Sequence, residues 1–324
     1  MDYSILMLNF PLALVSIVLL WKGSDWVVSS ASNIAHSLGV SDLVIGLTIV
    51  AFGTSAPEFA VTISAVIMGK ADISVSNVVG SNIFNLGFIL GGTASFYAIA
   101  TSPKVVYRDG FFLIFVTILL SFFLFGRNIL EPSINAAGMM TRTEGTILLV
   151  LFFSYLAILF IKKEDLAEDI EHGKLTWKDG LFLLLGLFCV VYGGHLLVDS
   201  SSSIARFFGV SDWVIGVTIV AAGTSSPELA TSLMALIKGK SAMAIGNLIG
   251  SDLFNLLGVL GLAAVIRHPL LISAEAKSSM YMLIGMVILV VIYMRTGWKV
   301  SRSQGLSLVI INLIRWFYDF MGKI

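Results

Sequence analysis

Charged residues are scarce in this chain. Of its 324 residues, only 12% are Asp, Glu, Lys or Arg, whereas 57% are hydrophobic, and the mean hydropathy is +0.95. A typical soluble domain carries roughly twice as much charge, so this composition argues against a soluble protein and in favour of a lipid environment. The 20 basic and 20 acidic residues balance, which gives no indication of a nucleic-acid partner or an acidic one.

Cysteine is nearly absent as well. The single cysteine, Cys189, lies in an apolar stretch, so no internal disulfide can form and the redox compartment stays undetermined. The polar motifs described below contain neither cysteine nor histidine, which argues against a zinc or copper site.

Long apolar runs follow one another with few interruptions. Each has roughly the 20 residues that a helix needs to cross a bilayer core of about 30 Å. We therefore predict an all-α polytopic membrane protein with ten transmembrane helices. The predicted spans are 9–34, 40–68, 72–98, 109–126, 144–161, 179–204, 210–237, 242–266, 279–295 and 304–321. Their connecting segments place 11 basic residues on one side and 8 on the other, which predicts a cell-membrane protein with its N-terminus outside.

An internal repeat organises the chain. The segment Gly39-Val40-Ser41-Asp42 recurs as Gly209-Val210-Ser211-Asp212, and Pro57-Glu58 recurs as Pro227-Glu228, at an offset of 170 (228 minus 58). The offset holds without a gap from residue 33 to residue 85, and about two-thirds of positions 39–70 are identical to their partners. Shared hydrophobicity alone does not explain so dense a match, so the sequence predicts two homologous halves.

The predicted halves have opposite orientations in the membrane. Each contains five spans, and an odd number forces the second half to enter the bilayer in the opposite sense. We predict a first inverted repeat at 1–165, a short charged linker at 166–178 and a second inverted repeat at 179–324. In secondary transporters with this architecture, the substrate site lies near the midplane where the repeats meet.

A carboxylate lies in the middle of an apolar span in each half. The first is in Gly53-Thr54-Ser55-Ala56-Pro57-Glu58, and the second, Glu228, has the same surroundings. A glutamate at such a depth is costly and marks a functional site. On a helix, Thr54 and Ser55 share the face of Glu58, and Pro57 leaves the carbonyl of Gly53 without its helical hydrogen bond. Carboxylate, hydroxyl and carbonyl oxygens are the ligands that sodium and calcium prefer.

A second polar motif also occurs twice. Asn77 to Asn85 reads Asn-Val-Val-Gly-Ser-Asn-Ile-Phe-Asn, and its counterpart runs from Asn247 to Asn255. Ser81 and Asn85 lie four residues apart on one helical face, as do Ser251 and Asn255. These side chains add neutral oxygens, which we expect to face the two glutamates.

The two pairs of motifs resemble the alpha-repeats of the sodium/calcium exchangers, within the wider cation/calcium exchanger superfamily, and most closely a microbial form. The resemblance covers essentially the whole chain and implies an antiporter. It implies that the cation ligands are Thr54, Ser55, Glu58, Ser81, Asn85, Thr224, Ser225, Glu228, Ser251 and Asn255, with the backbone carbonyls of Ala51 and Ala221.

One position departs from the family pattern. Some members have Asp where this chain has Asn255, and this chain instead has Asp252 where the first repeat has Asn82. Asp252 either borders the same cavity, as an additional ligand, or lies in a hydrated vestibule. A further charged residue, Asp25 in the first span, is expected to make contacts between helices rather than to line the ion path.

The resemblance implies electrogenic exchange of sodium for calcium by alternating access, and the matched motifs predict that Glu58 and Glu228 meet at one site. The expected partners are these two ions and the lipid bilayer, with no cofactor, nucleic acid or obligate protein partner. A proton/calcium exchanger is the main alternative, and potassium co-transport or another divalent ion stays open. A cation channel is less favoured because a pore is typically lined by rings of residues from several subunits. No enzyme activity is expected, because no intramembrane nucleophile stands beside a base.

Overall fold

The computed structural model describes residues 4–126, 138–161, 175–209, 221–273 and 276–321. Nearly all of them are helical. The α-helices are α1 (Ser4–Leu38), α2 (Asp42–Ile45), α3 (Ala51–Thr54), α4 (Ala56–Ile67), α5 (Ala71–Phe84), α6 (Gly91–Phe96), α7 (Phe111–Phe125), α8 (Arg142–Ile161), α9 (Trp177–Phe207), α10 (Ala221–Thr224), α11 (Ser226–Ile237), α12 (Ser241–Leu253), α13 (Leu260–Ile266), α14 (Ala276–Arg295) and α15 (Arg302–Met321).

Several of these helices continue through wider π-helical turns. The π-helical segments are Gly46–Val50, Asn85–Leu90, Val105–Gly110 and Phe254–Val259, and one 3-10 turn covers Thr296–Trp298. Short strands pair in two antiparallel ribbons. Strand β1 (Ile99–Ala100) pairs with β4 (Lys299–Val300), and β2 (Gly138–Met140) pairs with β3 (Leu270–Ile272).

Seven helical segments in the described ranges are long and apolar enough to cross a bilayer, and an eighth is broken by a 51° bend between Asp42–Thr54 and Ala56–Ile67. The chain is therefore a multi-pass membrane protein. Of the ten predicted spans, 210–237 begins with residues 210–220, which lie outside the described residues. Helix α15 is long enough to span, but Asn312, Arg315 and Asp319 make it less apolar than the other seven.

Helices α4 and α11 end in the same way. Gly69 and Gly239 have φ values of +79° and +74°, a left-handed conformation that glycine adopts without a steric cost. The amide of the following residue then donates a hydrogen bond back to the helix. Lys70 donates to the Ala65 carbonyl at 2.8 Å, and Lys240 donates to the Ala235 carbonyl at 2.7 Å. Because these positions are related by the offset of 170, the repeated sequence produces a repeated local structure.

The chain packs as two compact units, each of which draws on both halves of the sequence. Unit 1 contains Met1–Pro57 and Lys163–Asn247, and unit 2 contains Glu58–Lys162 and Leu248–Ile324. This grouping concerns packing and does not test the predicted repeat boundaries. Of the predicted linker at 166–178, residues 166–174 lie outside the described part of the chain.

In unit 1, small residues bring α1 and α9 into close antiparallel contact. A Cβ at Gly23 would lie 2.8 Å from the Gly186 carbonyl oxygen, and one at Gly193 would lie 3.2 Å from the Ser16 carbonyl oxygen. Gly193 is the repeat partner of Gly23, and Gly186 is the repeat partner of Ser16. Close backbone approach through small residues is how helices associate where lipid supplies no hydrophobic driving force.

Unit 2 contains two equivalent close helix pairs. A Cβ at Gly91 in α6 would lie 2.9 Å from the Gly305 carbonyl oxygen in α15. Likewise, a Cβ at Gly145 in α8 would lie 2.7 Å from the Gly261 carbonyl oxygen in α13. These contacts hold the segments that carry the second polar motif in each half.

Candidate cation-binding site

The first motif breaks its helix at the residues that carry the polar groups. Helix α3 ends at Thr54, Ser55 is non-helical (φ −82°, ψ 11°), and α4 resumes at Ala56. Pro57 has no N–H to donate to the preceding turn, which explains the break and the 51° bend. In the second half, α10 ends at Thr224 and α11 begins at Ser226, with Ser225 between them.

Glu228 lies at the centre of the polar cluster of unit 1. Its side chain is 1% exposed, and its Oε1 accepts a hydrogen bond of 2.7 Å from the Ser55 hydroxyl. Its Oε2 accepts no hydrogen bond from the described residues, and none of the ion pairs among them involves Glu228. A buried carboxylate in this position favours a cation or a proton as its counter-charge.

The neighbouring Thr54 links this cluster to helix α12. Its hydroxyl is 3.2 Å from Asn247 Oδ1 and 3.3 Å from the carbonyl oxygen of Ala51. The Ala51 carbonyl also accepts the Ser55 amide at 3.0 Å. The side chain of Asn247 in turn donates to Ser232 at 3.0 Å and to the Glu228 carbonyl at 3.5 Å. Hydroxyl, amide and carboxylate oxygens therefore share one buried region of unit 1.

Glu58 has equivalent surroundings in unit 2. Its side chain is also 1% exposed. Asn77 donates to the Glu58 carbonyl at 3.3 Å and to Thr62 Oγ1 at 2.9 Å, just as Asn247 donates to Glu228 and Ser232. In both halves, an asparagine from the second motif thus braces the helical turn that carries the glutamate.

Four residues from the second motif form a buried hydrogen-bonded quartet in unit 2. Asn85 Nδ2 donates to Asp252 Oδ1 at 3.0 Å, and Asn82 Nδ2 donates to the Asp252 carbonyl oxygen at 3.1 Å. Asn255 Nδ2 donates to Asn82 Oδ1 at 3.1 Å. Asp252 is 0% exposed, so it lies inside this cluster and not in a hydrated vestibule.

The remaining predicted ligands lie on the same segments. Ser81 is in α5 and Ser251 is in α12, and both are buried. Ala221 and Thr224 are in the short helix α10, and Ser225 follows at the break and is buried. The structure thus groups Thr54, Ser55 and Glu228 in unit 1, and Asn85, Asp252 and Asn255 in unit 2. The roles of all these residues as ligands remain predictions.

Two features of the site were missed from the sequence. Asn77 and Asn247 brace the glutamate turns, and their identity at matched positions was the available signal. The carbonyl of Gly223, the counterpart of Gly53, accepts a hydrogen bond of 2.7 Å from the Ser226 hydroxyl. Ser226 has Ala56 as its repeat partner, so this local cap exists in the second half and has no equivalent hydroxyl in the first.

The buried polar groups of the two motifs offer oxygen atoms rather than nitrogen or sulfur ligands for a metal ion. Among the residues that the structure describes, no group of three or more His, Cys, Asp and Glu side chains is placed to hold a metal ion. The polar oxygens come instead from single carboxylates surrounded by hydroxyl and amide groups. The sequence matches the family described as "Sodium/calcium exchanger protein" over residues 8–161 and 179–317. The chain belongs to the sodium/calcium exchanger family.

Several relatives of this family member are similar over nearly their whole length. The putative antiporter CaxA of Alkalimonas amylolytica is 36% identical, with 91% of this chain and 93% of the relative covered. The sodium/calcium exchanger MaX1 of Methanosarcina acetivorans is 33% identical, with 93% and 95% covered.

The fold is similar to a solved exchanger structure. The sodium-calcium exchanger NCX_Mj matches with a TM-score of 0.80 and 30% identity, covering 95% of this chain and 97% of that one. Together with the family match, this similarity identifies the chain as a transporter-type membrane protein of the cation-exchanging class, and the family is not one of enzymes.

Proposed function

We propose that this protein is a secondary active antiporter that exchanges sodium for calcium by alternating access. The observation that carries the proposal is the buried carboxylate of Glu228. It accepts a hydrogen bond from the Ser55 hydroxyl and has no Lys or Arg partner in the described part of the chain. A transported cation supplies the missing charge. The relatives named as an antiporter and as sodium/calcium exchangers support the same conclusion.

The proposed ligands are the twelve residues that the family resemblance implies, and Asp252 lies buried beside one of them, Asn85. They offer carboxylate, hydroxyl, amide and backbone carbonyl oxygens, which suit both sodium and calcium because these ions are similar in size and take oxygen ligands. Two ions that use overlapping ligands compete, and competition makes them substrates for exchange. Glu58 and Glu228 supply the two full charges, and their meeting at one site remains a prediction.

Exchange, and not conduction, follows from the cost of buried charge. A carboxylate such as Glu228 without a cation is unfavourable in a region from which water is excluded. Only a cation-loaded protein can then close over the site and reopen on the other side. This requirement couples the outward movement of one ion to the inward movement of the other.

We further propose ten transmembrane helices in two inverted repeats, at 1–165 and 179–324, with the N-terminus outside. Equivalent pairs of contacts within unit 2 support this topology. Gly91 approaches Gly305 as Gly261 approaches Gly145, and the β1–β4 ribbon has a counterpart in β3–β2. Inverted repeats are expected to produce such pairs of contacts.

Calcium uptake into vesicles that contain the purified protein tests the coupling ion. Vesicles are loaded with sodium, with potassium, or with an acidic buffer, and radiolabelled calcium is added outside. We expect rapid uptake only into the sodium-loaded vesicles. Uptake that needs an acidic interior would instead establish a proton/calcium exchanger, and uptake without any gradient requirement would indicate a channel.

An imposed membrane potential tests the stoichiometry. If more than two sodium ions leave for each calcium ion that enters, net positive charge leaves the vesicle, and about 2.3 kcal/mol per charge per 100 mV acts on transport. An inside-positive potential should therefore accelerate calcium uptake. Identical rates with and without the potential would show that exchange is electroneutral.

A further inference from the structure

The quartet of Asn82, Asn85, Asp252 and Asn255 has a fixed pattern of donors and acceptors. An asparagine side chain has one end that donates and one that accepts, and which end faces a cation decides whether it attracts or repels that ion. The orientation of Asn85 and Asn255 therefore matters for any cation that they bind. Their surroundings determine this orientation.

Asp252 determines the orientation of Asn85 directly. With Asp252 ionised, its carboxylate only accepts hydrogen bonds, so the group that Asn85 places 3.0 Å from Asp252 Oδ1 is its NH₂. The carbonyl oxygen of Asn85 then points away. Asn85 is 1% exposed, and this oxygen accepts no hydrogen bond from the described residues.

The backbone carbonyl of Asp252 determines the orientation of Asn255, and it does so by way of Asn82. The Asp252 carbonyl oxygen also only accepts, so Asn82 must turn its NH₂ towards it, at 3.1 Å. Asn82 Oδ1 is thereby left to accept the NH₂ of Asn255 at 3.1 Å. The Asn255 Oδ1 accepts nothing from the rest of the described chain and is equally buried.

We propose that Asp252 is a positioning residue that turns the amide oxygens of Asn85 and Asn255 towards the transported cation. The proposal rests on the proposed function, because it assumes that these two residues are cation ligands. It assigns Asp252 a role behind the ligands and not among them. Its negative charge also distinguishes the two halves, since the repeat partner Asn82 is neutral.

The charge has a second consequence for ion preference. The energy between Asp252 and a bound ion scales with the ion's charge, so the carboxylate favours calcium over sodium about twofold in energy. Loss of the charge alone should weaken calcium binding more than sodium binding. Loss of the acceptor should weaken the binding of both ions, because Asn85 is then free to present its NH₂.

Two substitutions separate these effects. Asp252→Asn removes the charge but keeps an oxygen that can accept from Asn85, as Asn82 does for Asn255. Asp252→Leu removes both the charge and the acceptor and keeps a side chain that branches at Cγ. Asp109→Asn is the matched control, because Asp109 is an equally buried aspartate of unit 2 that is bonded to Arg108 and Tyr155 and lies outside the two motifs.

The experiment measures equilibrium binding of radiolabelled calcium to the purified proteins, its displacement by sodium, and sodium-driven uptake in vesicles. For Asp252→Leu we expect calcium affinity to fall by about 10- to 100-fold, the usual effect of losing a group that orients a metal ligand. For Asp252→Asn we expect a smaller fall, with a lower preference for calcium over sodium. The Asp109→Asn protein should bind both ions with wild-type affinity, even if less of it is active.

The outcomes distinguish the two proposals. If wild-type protein exchanges sodium for calcium and both Asp252 variants bind calcium within twofold of it, the positioning role is wrong. If wild-type protein binds calcium but does not exchange it for sodium, the proposed function is wrong while the binding comparison still tests Asp252. Should Asp252→Leu not fold, Asp252→Ala also removes the acceptor, and a calcium affinity within twofold of wild type in that variant would overturn the positioning role.

Discussion

Removing the Ser55 hydroxyl should weaken calcium transport strongly. Its hydrogen bond to Glu228 Oε1 is short, at 2.7 Å, and both groups are buried. A hydrogen bond to a charged group contributes about 1.5–3 kcal/mol. Because about 1.4 kcal/mol corresponds to a tenfold change in affinity, Ser55→Ala should raise the calcium concentration for half-maximal transport by about 10- to 100-fold.

The assay measures initial uptake of radiolabelled calcium into sodium-loaded vesicles over a range of calcium concentrations. Ser24→Ala is the control, since Ser24 is also buried but donates only to the Leu20 carbonyl of its own helix, at 2.6 Å. That change should leave the concentration dependence almost unaltered. The reasoning is refuted if Ser55→Ala stays within twofold of wild type, or if the two variants are equally impaired.

Two further predictions concern stability. Gly23→Ala should lower the thermal unfolding temperature of the detergent-solubilised protein, because the new Cβ would lie 2.8 Å from the Gly186 carbonyl oxygen; overpacking costs about 1–3 kcal/mol. Gly180→Ala, in helix α9 but with no atom within 4 Å of its Cβ, should not lower this temperature. Lys238→Met should lower the free energy of unfolding by less than about 1 kcal/mol in the same assay, because the ion pair between Lys238 and Asp25 is partly exposed. A larger loss that persists at high salt would contradict this second prediction.

The sequence was informative wherever the two halves carry the same residues. Gly-Thr-Ser-x-Pro-Glu predicts a broken helix with a buried carboxylate, and the structure places Glu58 and Glu228 in such turns with both side chains buried. The proline accounts for the break, and the apolar surroundings account for the burial. The contact expected of Asp25 between helices is also present, as an ion pair with Lys238 at 2.6 Å.

The hydrogen-bond partners could not be read from the sequence. Thr54 and Asn247 are 193 residues apart, and no local pattern indicates that they approach within 3.2 Å. The location of Asp252 was similarly open, because spacing allowed either a cavity or a hydrated vestibule. The tertiary packing brings Asp252, near the end of α12, to Asn85, which follows α5 directly.

The π-helical turns had no signal in the sequence either. Asn85 begins one of them, and Asn255 lies within another, Phe254–Val259. A π-turn inserts one residue into a helix and is often found at functional sites. Its position depends on how neighbouring helices pack, so helical periodicity alone does not reveal it.

The most direct test of the central claim compares sodium-driven calcium uptake by the Glu58→Gln and Glu228→Gln proteins with that of wild type. Glu144→Gln serves as the control, because Glu144 caps helix α8 through the Thr141 amide and lies outside both motifs. We predict that each motif variant falls to the level of protein-free vesicles while the control transports calcium normally. Sodium-driven uptake at the wild-type rate in either motif variant would contradict the assignment of exchange to these two carboxylates.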